Sequence, residues 1–514
     1  MPRLKIDNRE VEVAPGATIL DAAGKLRIEI PTMCFLKGFE PATSCMVCVV
    51  KVEGKANFVP SCATTAVDGM IVHSNAEDVH QARKAALELL LSDHLGDCIG
   101  PCNVTCPARM NIPMMIRQIA AGKLRDAIVT VKKDIALPAV LGRICPAPCE
   151  RACRRADFDQ AVSICLLKRY VADVDLASAR PYLPSCKPAR REKVAIVGAG
   201  PCGLAAAYYL SQDGFNCTIY DDHEKAGGML RYGVPRQELA ESVLDAEIAV
   251  IEKLGVKFQG NTLVGQTISI EKLRKEFDAV LIATGDSPPV TGGLSEAAGV
   301  FTAPAPKGRK LAVRAVADGK EAAFAISGYL TWHGLQAREL HGQDGRATVT
   351  GTQKPFNIRI GKVTEDEMKV FLESCSNKPQ IEPAQVGQGL SDRQAVEEST
   401  RCLHCDCRKA ENCKLRKYAG DYDARLGQYK SQRRSFVRIS EHPEIIFEPG
   451  KCIKCGLCVQ ITAGAGEKLG LTFTGRGFDM QTAAPFGAPI TEALKTTAVK
   501  CAQACPTGAI SLKD

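Results

Sequence analysis

Cysteine is the residue that carries most of the potential chemistry in this chain, with 24 cysteines among 514 residues. Most of them stand at short spacings, at which thiolates bind zinc or iron–sulfur clusters. A disulfide framework is typical of short secreted chains, whereas this chain is long and 45% hydrophobic. Its first residues, MPRLKIDNREVEV, contain no apolar signal region. We therefore expect metal chemistry in a reducing, cytoplasmic compartment.

The formal net charge of +8 does not by itself indicate a nucleic-acid partner. A cluster bound by four thiolates carries a charge of roughly −2, so about five such clusters would cancel the excess. No stretch of the sequence approaches the roughly 18 apolar residues of a membrane span. We therefore expect neither a nucleic-acid partner nor a membrane span.

The cysteine group nearest the C-terminus begins with KCIKCGLCVQIT (451–462), which has C-x2-C-x2-C spacing and Thr462 where a further cysteine would complete the run. This spacing is typical of bacterial ferredoxins, in which the cysteine before a proline ligates the cluster begun by the other run. A second run, KCAQACPTGAI, provides that cysteine before Pro506. The predicted [4Fe–4S] ligands are Cys452, Cys455, Cys458 and Cys505. A twin site would need Thr462, Cys501 and two absent cysteines, so we expect it to be missing.

The N-terminal cysteine group has C-x10-C-x2-C-x13-C spacing between strand-like segments such as VCVVKVEG. Thiolates in a loop on a small β-grasp domain suit a [2Fe–2S] centre. Zinc is the alternative, although the wide first gap is unlike a paired C-x2-C knuckle. On the stretch GATILDAAGKLRIEIPTMC, residues 1–75 resemble the [2Fe–2S] domain of the large iron–sulfur subunit of complex I and of NADH-linked iron hydrogenases. The predicted ligands are Cys34, Cys45, Cys48 and Cys62.

Two further runs, HLGDCIGPCNVTCP and GRICPAPCERAC, flank amphipathic helical patterns such as MNIPMMIRQIAAGKLRDAIVTV. The second run closely resembles the N-terminal helical domain of the glutamate synthase small subunit and of dihydropyrimidine dehydrogenase. The resemblance implies two [4Fe–4S] clusters with crossed ligands. One set would be Cys98, Cys102 and Cys153, and the other Cys106, Cys145 and Cys149.

Each implied set lacks a fourth ligand. His94 precedes Cys98 by four residues, an offset at which the complex I subunit also uses a histidine, and it is the candidate for the first set. A solvent-facing histidine at a helix end is the alternative. In the second set the family's glutamine or glutamate position aligns with Lys168, which cannot coordinate while protonated. Cys165, near the same helix face, is the candidate there, with a buried structural cysteine as the alternative.

The run RCLHCDCRKAENC carries four cysteines within twelve residues and predicts a self-sufficient site. A [4Fe–4S] cluster and a closed zinc tetrathiolate are both compatible with it. Its cysteines are Cys402, Cys405, Cys407 and Cys413. The cysteines left without a site, which we interpret as ordinary thiols, are Cys186, Cys202, Cys217, Cys375 and Cys501.

A dinucleotide fingerprint lies in KVAIVGAGPCGLAAAYYL, where G-x-G-x-x-G follows a β-type run and opens an alanine-rich helix. Gly198 would make the turn, Gly200 would admit the pyrophosphate at the helix N-terminus, and Gly203 would allow close helix packing. Asp221 ends the next strand, where a carboxylate binds a ribose. A Rossmann unit with a purely structural role is the alternative.

The motifs GGMLRYGVP (227–235) and AVLIATGD (279–286) resemble the flavin domain of the glutamate synthase small subunit, so FAD is expected rather than NAD. Further cofactor-binding positions predicted in this domain are Gly227, Gly228, Arg231, Val264, Thr284 and Gly285. The family's Gly-Asp, whose carboxylate holds the flavin ribityl chain, reads Ala303-Pro304 here.

The same family inserts an NADPH-binding domain after its ATG motif. Here only 13 residues separate Gly285 from Gly299, where the flavin-domain pattern resumes. One βαβ unit needs about 30 residues or more. We therefore predict that the NADPH-binding domain is missing.

Together these patterns predict an α+β multidomain protein with one [2Fe–2S] cluster, four [4Fe–4S] clusters and FAD. The predicted domains are a β-grasp [2Fe–2S] ferredoxin-like domain (1–78), a helical domain with two [4Fe–4S] clusters (79–190), a truncated Rossmann-type FAD domain (191–345), a connecting segment with a [4Fe–4S] site (346–435) and a ferredoxin-like [4Fe–4S] domain (436–514).

We predict an oxidoreductase subunit that relays electrons and has no catalytic acid–base residues of its own. The expected partners are an NADH/FMN diaphorase-type subunit and a hydrogenase, formate dehydrogenase or similar redox subunit, with a soluble ferredoxin as a further candidate. Complexes of this kind include flavin-based electron-bifurcating enzymes. The alternatives are a self-contained NAD(P)H-dependent reductase and a non-redox scaffold that binds zinc.

Overall fold

The computed structural model describes residues 1–285, 298–303, 311–336, 356–385, 387–429 and 433–513. It divides the chain into two compact units. The first unit comprises Met1–Ile99, Gln353–Ser374 and Cys405–Asp514, and the second comprises Gly100–Thr352 and Cys375–His404. The predicted helical domain therefore contributes residues 79–99 to the first unit, and the predicted connecting segment contributes residues to both.

The described strands are β1 (Arg3–Ile6), β2 (Arg9–Glu12), β3 (Val49–Val52), β4 (Val59–Pro60), β5 (Ile71–His73), β6 (Lys193–Val197), β7 (Asn216–Tyr220), β8 (Lys257–Gln259), β9 (Ala279–Ile282), β10 (Val300–Thr302), β11 (Ile445–Phe447), β12 (Thr472–Thr474), β13 (Gln481–Ala483) and β14 (Ile510–Leu512). The described α-helices are α1 (Ile19–Lys25), α2 (Glu77–Ser92), α3 (Pro101–Thr105), α4 (Ile112–Ala120), α5 (Leu124–Asp134), α6 (Pro138–Ile144), α7 (Pro148–Arg151), α8 (Ile164–Ala177), α9 (Pro201–Gln212), α10 (Met229–Tyr232), α11 (Glu241–Glu252), α12 (Ile270–Glu276), α13 (Ala312–Gln336), α14 (Glu365–Leu372), α15 (Asp392–Ser399), α16 (Lys414–Asp421), α17 (Leu457–Gly464), α18 (Ile490–Ala493) and α19 (Ala498–Ala504).

The N-terminal part of the first unit is a five-stranded mixed sheet with the order β2-β1-β5-β3-β4. Side chains alternate between the two faces of β1, so Leu4 and Ile6 both lie in an apolar core, which also contains Ile19 of α1. Thr18 caps the N-terminus of helix α1. Its hydroxyl accepts a hydrogen bond from the backbone N–H of Asp21, and the Asp21 side chain accepts one from the backbone N–H of Thr18, which forms a capping box. The long connection from α1 to β3 carries the first three cysteines of the N-terminal group.

The C-terminal part of the first unit is built on two short antiparallel pairs, β11 with β14 and β12 with β13. Helices α17 and α19 pack against each other and share an apolar core with β11 and β14. The run that begins with Cys452 leads into α17, and α19 ends next to Cys505. Both predicted cysteine runs of this part are therefore held at helix ends.

The second unit contains a five-stranded parallel sheet with the order β10-β9-β6-β7-β8. Strand β6 is apolar along its inner length because a central parallel strand is covered on both faces. Strand β10 pairs directly with β9, with Val300 opposite Val280. In the connection between these two strands, residues 286–297 lie outside the described residues. Pro304, which follows β10, also lies outside them.

The helical part of the second unit consists of α3 to α8. Helix α6 packs closely on α8 because Gly142 has no side chain: a Cβ there would lie 2.7 Å from the Cα of Arg169. Apolar faces of α4 and α5 complete the core, as their sequence pattern predicts. None of the described helices combines the length and the apolarity that crossing a bilayer requires.

Candidate iron–sulfur and dinucleotide sites

The four N-terminal cysteines are buried and form two close pairs. The Sγ atoms of Cys34 and Cys45 lie 3.4 Å apart, and those of Cys48 and Cys62 also lie 3.4 Å apart. Two sulfurs on one tetrahedral metal ion, each about 2.3 Å from it, lie about 3.8 Å apart. The hydrogen bond within each pair lowers the pKa of Cys34 and of Cys48 to about 6 and raises the pKa of their partners Cys45 and Cys62. Two such pairs fit a binuclear centre in which each iron takes two cysteines.

The described cysteine groups are not spaced for a single metal ion. Within the described ranges, the one group of His, Cys, Asp and Glu ligand atoms that lie within 4.8 Å of one another is Asp221, Asp222 and His223. A closed zinc tetrathiolate would bring all of its sulfurs to about 3.8 Å of one another. Although the N-terminal sulfurs come close in pairs, no three of the described cysteine sulfurs lie within 4.8 Å of one another, which favours polynuclear clusters over zinc.

The helical part of the second unit brings four predicted cysteines together. Each stands at or near a helix end: Cys106 after α3, Cys145 after α6, Cys149 in α7 and Cys165 in the first turn of α8. The thiols of Cys106 and Cys165 each interact electrostatically with the thiol of Cys149. A hydrogen bond from Cys165 lowers the pKa of Cys145 to about 7. The set fits a [4Fe–4S] cluster with Cys165 as its fourth ligand.

A buried lysine faces these four thiols. Lys168 is 4% exposed, and its Nζ lies 3.5 Å from the Sγ of Cys165. Burial alone would lower the pKa of Lys168, but the four thiols outweigh burial and raise it. The residue at the family's glutamine or glutamate position is therefore a charged donor. An anionic cluster held by these cysteines would gain a buried positive charge beside it.

Replacing Lys168 with methionine is expected to lower the reduction potential of this cluster. Reduction adds a negative charge, and at an effective dielectric constant near 20 a unit charge 5–10 Å away contributes about 1.5–3 kcal/mol. For one electron this corresponds to roughly 65–130 mV. An EPR-monitored redox titration measures the shift, with the exposed Lys123→Met as the control. Equal potentials in wild type and Lys168→Met would contradict the electrostatic role of Lys168.

The C-terminal cysteines line one cavity together with Thr482 and Pro506. The cavity is lined by the predicted ligands Cys452, Cys455, Cys458 and Cys505. The backbone N–H of Lys454 donates to the Sγ of Cys452 over 3.3 Å, as expected for a cluster thiolate. These residues fit the single [4Fe–4S] cluster that the sequence predicts here.

Two residues at which a twin site would need ligands, Thr462 and Cys501, are buried. The Thr462 hydroxyl donates to the carbonyl of Val459 and accepts from the N–H of Leu471, over 2.9 and 3.1 Å. Cys501 is fully buried, and burial raises its pKa to about 11. Thr462 therefore has local hydrogen bonds that satisfy it without a metal.

Cys98 lies in the first unit beside cysteines of the 402–413 run. The backbone N–H of Cys407 donates to the carbonyl of Cys98 over 3.2 Å, and Cys98 and Cys413 share one apolar core. The sequence grouped Cys98 with Cys102 and Cys153, which belong to the core of the second unit. More than 300 residues separate Cys98 from Cys407, so spacing alone carries no signal of their proximity.

His94 shares a neighbour with these cysteines, because Lys451 interacts with His94, with Cys98 and with Cys407. Within the described part of the chain, its buried Nδ1 has no hydrogen-bond partner. Burial, reinforced by the charge of Lys451, lowers the pKa of His94 to about 4. The imidazole is therefore neutral near pH 7, which is the form that binds metal ions.

One apolar core of the first unit connects three of the cysteine sites. It contains Cys34 and Cys45 of the N-terminal group, Cys98 and Cys413, and Cys455 of the C-terminal group. The thiols of Cys34 and Cys455 also act on each other electrostatically. Three candidate clusters are therefore neighbours within one unit.

The dinucleotide fingerprint forms an open turn between β6 and α9. Gly198 has φ +107°, and a Cβ there would lie 2.5 Å from the carbonyl oxygen of Ala283. A Cβ on Gly203 would overlap the carbonyl of Gly198, so both positions require glycine. A Cβ on Gly200, by contrast, would meet no atom within 4 Å. The space above Gly200 at the start of α9 is where a pyrophosphate would fit.

The other predicted cofactor residues surround this turn. A Cβ on Gly228 would lie 2.7 Å from the Cα of Gly200. The loop that contains Gly227 and Gly228, the GG loop, therefore packs directly against the turn. Asp221, at the end of β7, accepts from the N–H of Ala199 over 2.6 Å. Arg231 donates from Nε to the carbonyl of Ala226, and among the described residues its buried Nη1 has no hydrogen-bond partner. An open cradle with an unused donor fits a bound dinucleotide such as FAD.

Of the remaining predicted positions, Gly285 has φ +65° and follows Thr284 just after β9, at the carboxyl edge of the sheet. Gly227, with φ +134°, precedes Gly228 in the GG loop. Val264 is buried and forms an isolated bridge with Ile268 beyond β8. Ligands of parallel sheets bind at this carboxyl edge.

Three family models match the chain. A 2Fe–2S iron–sulfur cluster binding domain covers residues 2–77, and the 4Fe–4S cluster domain II of dihydropyrimidine dehydrogenase covers residues 73–180. An NAD(P)-binding Rossmann-like domain covers residues 196–254. The three matches together cover residues 2–180 and 196–254. The predictions of a [2Fe–2S] domain, a [4Fe–4S] domain of the dihydropyrimidine dehydrogenase type and a Rossmann-like domain are confirmed.

Three curated relatives that match the chain are subunits of oxidoreductases. The chain is 41% identical over 189 residues to the NADPH-Fe(3+) oxidoreductase subunit beta of Geobacter sulfurreducens, covering 36% of this chain and 28% of that protein. It is 38% identical over 206 residues to the NADP(+)-dependent formate dehydrogenase subunit beta of Moorella thermoacetica, covering 36% and 29%. It is 41% identical over 188 residues to the NAD-dependent dihydropyrimidine dehydrogenase subunit PreT of Escherichia coli, covering 36% and 45%. The chain thus spans less than half the length of each relative.

Proposed function

We propose that the chain is an electron-transfer subunit that relays electrons through iron–sulfur clusters and FAD. Electrons would pass between an NADH/FMN diaphorase-type subunit and a second redox subunit, such as a hydrogenase or a formate dehydrogenase. The observation that carries the proposal is the shared apolar core that contains Cys34, Cys98 and Cys455. Clusters whose ligands share one buried core would be neighbours shielded from water, which suits one-electron relay.

The Rossmann-like part supports a flavin node without its own hydride donor. Strand β10 pairs directly with β9, and 13 residues separate Gly285 from Gly299. A nucleotide-binding βαβ unit needs about 30 residues or more. The FAD cradle would therefore exchange electrons with clusters rather than receive a hydride from a nicotinamide held by this chain.

A self-contained NAD(P)H-dependent reductase is the first alternative, and it would need a second nucleotide fold. A zinc-binding scaffold is the second alternative. A mononuclear zinc tetrathiolate would bring four sulfurs close together, and no three of the described cysteine sulfurs lie within 4.8 Å of one another, which favours iron–sulfur clusters over that scaffold. Labile sulfide, present in iron–sulfur clusters and absent from zinc sites, separates the two by direct assay.

Purification of the native protein under anaerobic conditions tests the relay. We expect an NADH/FMN diaphorase-type subunit and a second redox subunit to elute with the chain in one complex. NADH should reduce the clusters of this chain in the complex, and removing the diaphorase-type subunit should abolish that reduction. A native protein that elutes alone and shows full NAD(P)H-dependent turnover would contradict the proposal and favour the self-contained reductase.

A further inference from the structure

We propose that His94, Cys98, Cys407 and Cys413 together hold one [4Fe–4S] cluster in the first unit. The 402–413 run is then not a self-sufficient site, because two of its cysteines complete a site begun by the segment 94–98. The proposal rests on the proposed iron–sulfur function and specifies which thiols share a cluster.

The first support is the placement of the three sulfurs. Cys98, Cys407 and Cys413 are 7%, 8% and 9% exposed. The backbone of Cys407 bonds to the carbonyl of Cys98, and Cys413 interacts electrostatically with both thiols. The three cysteines therefore enclose one buried site, although they come from two segments distant in the chain.

Each of the three sulfurs also receives a backbone hydrogen bond. Ile358 donates its N–H to the Sγ of Cys98 over 3.4 Å, and Arg416 donates to that of Cys413 over 3.4 Å. The backbone of Lys409 bonds to Cys407. N–H donors aimed at buried sulfurs stabilise thiolates, which is the state that ligates iron.

The fourth position is supplied by His94. A Cβ on Gly508 would overlap the Sγ of Cys407 and would lie 3.7 Å from the Cδ of Lys451. A Cβ on Gly96, two residues beyond His94, would lie 2.5 Å from the Cε of Lys451, so the segment that carries His94 and the thiol of Cys407 border the same buried lysine. A buried ring nitrogen of His94 has no partner among the described residues. Glu448 pairs with both Lys451 and Arg438, so these three buried groups together carry one net positive charge beside the proposed anionic cluster.

Cys402 belongs elsewhere in the fold. It lies in the apolar core of the second unit, to which Cys102 and Cys153 also belong. Arg155, two residues beyond Cys153, donates to the carbonyl of Arg401 over 3.1 Å and so holds the start of the 402–413 run near Cys153. The run is therefore divided between two units, which a compact four-cysteine site would not be.

Iron analysis of paired cysteine variants in the full-length chain tests the grouping. Each single substitution, Cys98→Ser, Cys407→Ser or Cys153→Ser, should remove about four iron atoms per chain. The double variant Cys98→Ser/Cys407→Ser should also lose only about four, because both residues serve one cluster. Cys98→Ser/Cys153→Ser should lose about eight. The reverse, about eight for the first pair and about four for the second, would overturn the proposal. The exposed Cys186→Ser is the matched control and should keep all of its iron.

His94→Cys provides a test that retains the cluster even if a serine variant does not fold. We expect altered EPR g-values in the signal that is absent from Cys407→Ser, with the [2Fe–2S] signal unchanged. A change confined to the signal that Cys153→Ser removes, or no change in any signal, would contradict the assignment of His94. A wild-type chain without iron and labile sulfide would instead contradict the proposed function itself, so the two failures are distinguishable.

Discussion

Replacing Gly200 with alanine is expected to lower FAD affinity by more than about tenfold, a loss of about 1.4 kcal/mol or more, while the fold stays intact. Gly200 has φ −71° and ψ −178°, which alanine adopts without strain, and a Cβ there would meet no protein atom within 4 Å. The added methyl group would instead occupy the space that a pyrophosphate needs at the start of α9. Flavin content and equilibrium binding of FAD to the apo chain measure the effect.

Gly328→Ala is the matched control for this substitution. Gly328 is an exposed residue of α13 in the same unit, and a Cβ there also meets no atom within 4 Å. Alanine should keep FAD bound and should stabilise the helix by roughly 0.5–1 kcal/mol. Wild-type FAD affinity in Gly200→Ala would contradict the placement of the pyrophosphate, whereas loss of FAD in both variants would point to a general fault in the unit.

The sequence predicts those sites whose ligands are close together along the chain or whose motif fixes the local backbone. The [2Fe–2S] group and the turn around Gly198 are of this kind, because spacing and glycine positions determine the geometry. Cys165 was predicted from helical periodicity, and it lies beside Cys145. The buried charge of Lys168 beside these thiols was not predicted. The motif gives the position of Lys168 in the chain but does not show which groups surround its side chain.

Ligands contributed by distant segments could not be predicted from spacing. Cys98 lies near the end of the first segment of the first unit, and Cys407 lies in the last segment of that unit. The two residues meet because the chain returns to the first unit at Cys405. Such proximity is a tertiary property to which local patterns contribute nothing. The same holds for the apolar core that joins Cys34, Cys98 and Cys455, because Cys34 and Cys455 are 421 residues apart in the chain, 455 − 34.

The second large effect concerns reduction by nicotinamide nucleotides. Reduction of the flavin requires that the nicotinamide is bound against the isoalloxazine. In the family of the glutamate synthase small subunit, which the chain resembles, a separate Rossmann domain binds the nicotinamide nucleotide. The 13 residues between Gly285 and Gly299 are too few for its strand, phosphate turn and helix. The isolated chain is therefore expected to bind FAD and to lack NADH and NADPH oxidation. Electrons should enter or leave through a partner subunit.

Anaerobic stopped-flow mixing of the isolated, cluster-replete chain with NADH or NADPH tests this central claim most directly. The flavin absorbance near 450 nm should stay unbleached with either nucleotide over the time of many turnovers, about seconds at typical enzyme rates. Dithionite added to the same sample should bleach it, which shows that the flavin is present and reducible. Rapid bleaching by either nucleotide, at a rate comparable with turnover, would contradict the relay and identify the chain as a self-contained reductase.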